Sequence, residues 1–392
     1  MSLNQLLDVV FRWAHLIAGI MWIGNSMLFN WLDRNLIAPP ADDEHRLSQG
    51  TIHMVHSGAF YEVEKKLLAP NELPDQLHWF KWQNGITWLT GISLLIVVYY
   101  WNGYLVDPSV MKLAPSVAIS ISAGSLLVAW IAYDALWYAL GDRPRLASFL
   151  SLAGLFVSAF VFTQIFGGRA AYIQTGVLIG TIMTGNVWLV ILPSQKELIA
   201  ATKQGREQDK TLSLRAKQRS IHNNYLTFPL LFIMLSNHFD ATYGAWLNWA
   251  ALFVVMVGGA GVRHFMNIRY AGARWLGPAL AIGVLSLFGV MMITRVRKPV
   301  VEVKNSVDFA RAEEIIQKRC VPCHSPHPSD SMFSSPPNNV MFDTPDRIEA
   351  MVPRIKERAV VNQTMPFLNR TNITDEERAE LGKWIDEGAK LQ

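Results

Sequence analysis

Cys320 and Cys323 are the only cysteines in 392 residues, and with His324 they form the stretch CVPCH. Two thiols three positions apart, followed by a histidine, have the spacing of c-type haem attachment. Cys320 and Cys323 would form thioethers to the vinyl groups, and His324 would bind the iron. A structural zinc site needs four ligands, and no second cysteine pair exists. A redox C-x-x-C belongs in a strand–helix–strand setting, whereas VDFARAEEIIQKR, just before the motif, reads as a helix. A last helix, TDEERAELGKWIDEGAK, opens on a Thr374-x-x-Glu377 capping box and places Leu381, Trp384 and Ile385 on one face. Between them, NQTMPFL offers Met365 before Pro366 as the distal iron ligand, with Met332, Met341, Met351 and His327 as rivals. A Met/His pair raises a haem potential, which suits an electron acceptor.

A second set of residues with chemistry lies in apolar surroundings. His15 and His238 fall at matched depth and are the candidate axial pair for a haem b. Gly19, four residues after His15, would leave room for a flat macrocycle, and Arg12 could meet a propionate. His222 and His264 are candidates for a second haem b. The bland alternative for each is a hydrogen-bonded helix histidine. The segments HSGAFYEVEKKLLAP and LHWFKWQNGITWLTG crowd His56, Phe60, Tyr61, Glu64, His78 and Trp79 together. Such a segment is either an interfacial helix with an aromatic belt or a pocket for a flat polar ligand. Asp134 in the third span and Asn186 in the fifth, both in the inner half, could line that pocket.

What must position these residues is a membrane domain. Half the residues are apolar and 17% are charged, and the formal charge of +4 is too small to argue for nucleic acid. A span needs roughly 20 apolar residues. Eight stretches approach this, at 6–31, 79–101, 115–140, 146–167, 171–193, 224–239, 245–268 and 275–295, of which the sixth is short and polar at both ends. The first is too long for a signal-peptide core and reads as an uncleaved span. Alternate loops hold fifteen basic residues against two, Lys112 and Arg169, in the others. That asymmetry places the basic loops in the cytoplasm and both termini in the periplasm of a bacterial inner membrane. The reading is therefore all-α, a polytopic bundle of about eight transmembrane helices over 1–298, a linker at 299–305, and a small class I-like cytochrome c domain over 306–392.

The stretches HSGAFYEVEKKLLAP, LHWFKWQNGITWLTG, HNNYLTFPLLFIMLSNHF and RHFMN, followed by CVPCH and TMP, resemble the bacterial membrane-bound, cytochrome c-linked urate oxidases over nearly the whole chain. The resemblance implies oxidation of urate to 5-hydroxyisourate with water as oxygen source. Electrons would pass through the C-terminal haem c to a soluble periplasmic cytochrome c and a terminal oxidase. In this reading His56, Tyr61 and Glu64 act on urate, and Phe60, His78, Trp79, Asp134 and Asn186 bind it. Haem b would relay electrons across the bilayer. Two alternatives stand beside it: a membrane haem protein oxidising another donor such as quinol, and a transporter-like redox sensor.

Overall fold

The computed structural model describes all residues except 1–2, 40–47, 269–273, 297–300, 331 and 392. Arg46, Arg269, Arg297 and Lys298, used in the charge count and linker reading, lie outside the described residues.

Eight long helices form the first part of the chain. They are α1 (Leu3–Asn35), α2 (Trp82–Leu94), α3 (Pro115–Ala139), α4 (Pro144–Ile165), α5 (Gly168–Lys203), α6 (Lys210–Leu235), α7 (Asn248–Ile268) and α8 (Leu276–Arg295). Helix α2 continues through a π-helical turn, Leu95–Trp101, and α5 contains another, Asn186–Ile191. All but α6 are long and apolar enough to cross a membrane, as expected of a membrane protein. Helix α6 matches them in length but starts with a charged turn, which explains why the sequence shows only its second half, 224–239, as apolar.

The helices alternate in direction. At one end, Lys65 Nζ meets Asp33 Oδ1 at 2.8 Å and Gln218 Nε2 donates to the Gly141 carbonyl at 2.8 Å. At the other, Asn4 Nδ2 donates to Asn102 Oδ1 at 3.1 Å and Arg169 Nε to Asn237 Oδ1 at 2.9 Å. The bundle core runs from Leu95 through Tyr172 and Ile179 to Leu252 and Met256. Helices α1 and α8 lie at its margin with apolar side chains such as Leu16, Ile20, Val284 and Leu287 exposed.

The all-α expectation needs one correction. Residues Ser48–His56 (β1) and Ala59–Lys66 (β2) pair as an antiparallel hairpin. Ser57 and Gly58 close it, both in the left-handed region (φ 53° and 77°), as a two-residue hairpin turn demands. Of the two stretches read as an interfacial helix or a pocket, the first lies mainly in this hairpin, at one end of the bundle, and the second runs into α2.

The C-terminal unit folds from α9 (Phe309–Arg319), α10 (Pro345–Ile355) and α11 (Asp375–Asp386). It has its own core of Ile315, Ile316, Ile348, Leu381 and Trp384. The Thr374–Glu377 capping box forms in both directions, Thr374 N to Glu377 Oε2 at 2.9 Å and Glu377 N to Thr374 Oγ1 at 3.2 Å.

Candidate functional site

In the C-terminal unit, α9 ends at Arg319 and delivers Cys320, Cys323 and His324 in the turn that follows. The His324 Nδ1 lies 2.9 Å from the Val340 carbonyl, an acceptor, so Nδ1 carries the proton and Nε2 keeps its lone pair. That is the arrangement an iron-ligating histidine requires. Burial pushes the Cys320 thiol up to about 12, partly offset by Arg378, and burial also raises Cys323. A thiol–disulfide catalyst needs the opposite shift. Among the described residues no group of three or more His, Cys, Asp or Glu side chains could hold a metal ion, so no zinc-type set surrounds the thiols.

The Met365 backbone is clamped from both sides: its N–H donates to the Arg358 carbonyl at 3.0 Å and its carbonyl accepts from Arg378 Nη1 at 2.7 Å. Among the rivals, the Met341 sulfur accepts from Arg347 at 3.4 Å, and Met351 packs against the unit's core. Cys320, Cys323 and His324 therefore fit a covalently attached haem, and Met365 stands on a loop clamped beside them in the same unit as the distal-ligand candidate.

The Met365 loop also faces the long helices. Phe367 meets Tyr104 edge-on at 4.9 Å, and Arg358 pairs with Asp240 at 2.6 Å. A Cβ at Gly244 would lie 2.7 Å from Thr364 Cγ2 and 2.8 Å from the Asn362 carbonyl oxygen, so only glycine allows this approach. The unit thus sits at the end of the bundle opposite the hairpin.

The hairpin separates the residues grouped there by sequence. Strand alternation puts His56 and Tyr61 on one face and Phe60 and Glu64 on the other. All four are exposed, Phe60 at 84%. His78 is exposed, and half-buried Trp79 lies under Lys81 at 5.2 Å. These side chains do not close round a cavity.

The histidines expected as haem b ligands are likewise not paired. His15 Nδ1 is held by the Thr87 carbonyl (2.9 Å) and Thr90 Oγ1 (3.1 Å). Its ring packs on Gly91, where a Cβ would lie 3.0 Å from Cε1, and Gly19 faces Thr87. Gly91 lets α1 and α2 pack closely at His15. Arg12 pairs with Asp8 at 2.6 Å. His238 is exposed in the turn after α6. His222 stacks on Tyr133 of α3, whereas His264 stacks on Tyr225 of α6, so the two face different neighbours. His15 thus keeps a free Nε2, as His324 does, and its contacts bring no second histidine to its ring.

What the structure does gather is a buried polar layer between α3, α5 and α6, towards the hairpin end. Asp134 Oδ1 accepts from Arg219 Nη2 at 2.6 Å. The Arg219 guanidinium lies over Tyr133 (4.7 Å) and Trp137 (5.4 Å). Tyr133 OH lies 2.8 Å from His222 Nδ1 and 3.1 Å from Asn186 Nδ2. Asn186, at the start of the π turn, is fully buried and also reaches Asn223 Oδ1 at 2.8 Å. Of these, Asp134, Asn186 and His222 were legible as candidates. Arg219 is not, because by hydropathy 194–223 reads as a loop and its cations as loop cations. That stretch is instead the ends of α5 and α6 joined by Gln204–Asp209. The spacing of Arg219, His222 and Asn223 at i, i+3 and i+4 was the available signal.

No curated protein and no solved structure matches the chain. A family model described as urate oxidase N-terminal matches residues 1–295, which take in the eight long helices, the hairpin and the polar layer. The chain belongs to the urate oxidase N-terminal family.

Proposed function

We propose that this chain is a membrane-bound, cytochrome c-linked urate oxidase. Urate and water give 5-hydroxyisourate, two protons and two electrons, and the electrons leave towards the C-terminal unit. From there they pass to a soluble periplasmic cytochrome c and a terminal oxidase. One observation carries this reading. A chain matched to the family over 1–295 continues into a C-x-x-C-H unit whose Met365 loop sits against the same bundle.

Cys320 and Cys323 would hold a haem c through thioethers, with His324 and Met365 as axial ligands. When bound, that group supplies a one-electron acceptor whose potential a Met/His pair raises. The chain's own residues do the rest. The Val340 carbonyl fixes the His324 tautomer. Arg378 ties the Met365 carbonyl to α11. Phe367 and Leu368 pack against Tyr104 and Gly167 at the seam. Because urate gives up two electrons and the acceptor takes one, the electrons depart in sequence. The excess of Lys and Arg near the hairpin end supports a cytoplasmic position for that end and a periplasmic one for the C-terminal unit, the side on which haem c is attached.

The test is an anaerobic spectrum of the purified full-length protein before and after urate. Growth of a c-type α-band is the expected result. Reduction by dithionite or a quinol analogue but not by urate overturns the assignment.

A further inference from the structure

The geometry points to the Tyr104–Phe367 contact as the place where electrons cross from the long helices into the C-terminal unit. This rests on the function proposed above for the source of those electrons, and goes beyond it by naming the point of entry.

Phe367 follows Met365, the distal-ligand candidate, by two residues and meets Tyr104 edge-on with ring centroids 4.9 Å apart. Among the described residues this is the only aromatic pair that spans the seam. The next residue, Leu368, reaches the residue before α5: a Cβ at Gly167 would lie 3.5 Å from Leu368 Cδ2.

The same loop is tied to the thiol turn. Arg370 donates to Asp330 through Nε and Nη2, each at 3.1 Å, a two-pronged charged pair. The Asp330 N–H in turn donates to the Pro322 carbonyl at 3.0 Å, and Pro322 stands between Cys320 and Cys323. Residues 365–370 therefore join three things: the distal-ligand candidate, the turn that carries the two thiols, and the bundle. A path through them is the short way in.

On the bundle side Tyr104 is continuous with the core. It lies in the loop after the π turn Leu95–Trp101 and packs against the buried cluster that contains Tyr99, Leu105 and Phe166. Electron tunnelling falls off exponentially with distance and is slower across a gap than through packed atoms. A ring that is anchored in one unit's core and touches the other's ligand loop bridges that gap. Gly244 sets the spacing: a Cβ there would lie 2.7 Å from Thr364 Cγ2, so its absence lets the loop come down on the other side of Met365. Each crossing is a one-electron step. Urate oxidation in the bundle supplies the electron, ferric haem c takes it and becomes ferrous, and no bond forms or breaks at the seam.

The experiment uses the full-length holoprotein without oxygen and follows the c-type α-band by stopped flow. Reduction is started with urate, then separately with ascorbate, which reaches the unit from solution. A potentiometric titration gives the midpoint potential of each protein. Tyr104→Ala leaves a void where the ring stood and should slow reduction by urate on the order of tenfold. Gly244→Val lifts the loop and should slow it on the same order, whereas Tyr104→Phe keeps the ring and should match wild type. Reduction by ascorbate and the midpoint potential should stay at wild-type values in all three, which damage to the unit would not allow. If urate reduces wild type and Tyr104→Ala at one rate, electrons cross elsewhere, and the inference is overturned while the function stands. If Tyr104→Ala is slowed equally with urate and with ascorbate, or its potential shifts, the contact only supports the unit's fold and the inference is again overturned. If a quinol analogue reduces wild type in a Tyr104-dependent way and urate does not, the entry point stands and the urate assignment falls. If neither donor reduces wild type, both fall.

Discussion

Arg358 of the C-terminal unit and Asp240, in the turn after α6, form a 2.6 Å ion pair across the seam between unit and bundle. The pair is partly exposed, with side chains 45% and 19% accessible, so its worth is modest and salt screens it. Asp240→Arg or Arg358→Asp should slow urate-driven reduction of the unit by about three- to tenfold, and the double swap should restore the rate. Stopped-flow reduction at low and high salt checks this. Equal rates in all four proteins at low salt would remove the pair from any role in docking.

Arg378 is buried and ties two carbonyls, those of Ala359 and Met365, to α11. Arg378→Leu should cost the C-terminal unit about 2–3 kcal/mol, since charge-assisted hydrogen bonds are lost and buried carbonyls are left unpaired. Denaturant unfolding followed by the c-type absorbance measures it. A midpoint unchanged from wild type would show that the Met365 loop holds itself.

Glu377 has its carboxyl below its ordinary value of 4.5, because burial, which raises it, is outweighed by the hydrogen bonds from Arg319 and the Thr374 N–H and by the Arg319 charge. A depressed carboxylate binds its proton later in the folded than in the unfolded state. Its contribution to stability is therefore complete above 4.5 and is lost as pH falls through the lower folded value. The melting temperature of the unit should drop as acid is added below that point. Glu377→Gln should flatten this part of the profile and lower stability at neutral pH.

Gly185 stands against the Trp130 ring, where any side chain forces α3 and α5 apart. Gly185→Leu should destabilise the bundle by about 1–3 kcal/mol. Thermal aggregation in detergent measures it, and an onset unchanged from wild type would show that α3 and α5 have slack at this contact.

Long apolar runs were legible in the sequence because hydropathy needs no knowledge of contacts, and so was the capping box, which is local. The hairpin was not. Thr51-Ile52-His53-Met54 and Tyr61-Glu62-Val63-Glu64 do alternate, but the alternation is short and Val55 and Phe60 add apolar side chains to the polar face, which masks the period. Arg219 was hidden for a different reason. Its partner Asp134 is 85 positions away, and a charged helix end is indistinguishable by hydropathy from a loop. The separation of His222 from His264 by the tyrosine each one stacks on belongs to tertiary packing, and no spacing rule encodes it.

The polar layer lies towards one end of the bundle and the Met365 loop at the other, and α6 alone spans about 24 Å from Arg219 to Leu235 at its usual rise. In the proposed function, electrons that leave urate at the hairpin end would need a relay between the two ends, the role the sequence gives haem b, and would move through most of the transmembrane electric field. Each does electrical work of about 2.3 kcal/mol per 100 mV. With the hairpin end in the cytoplasm, an inside-negative potential pulls them outward. Purine oxidation would then run faster in energised vesicles than in uncoupled ones and would draw down the membrane potential that drives it.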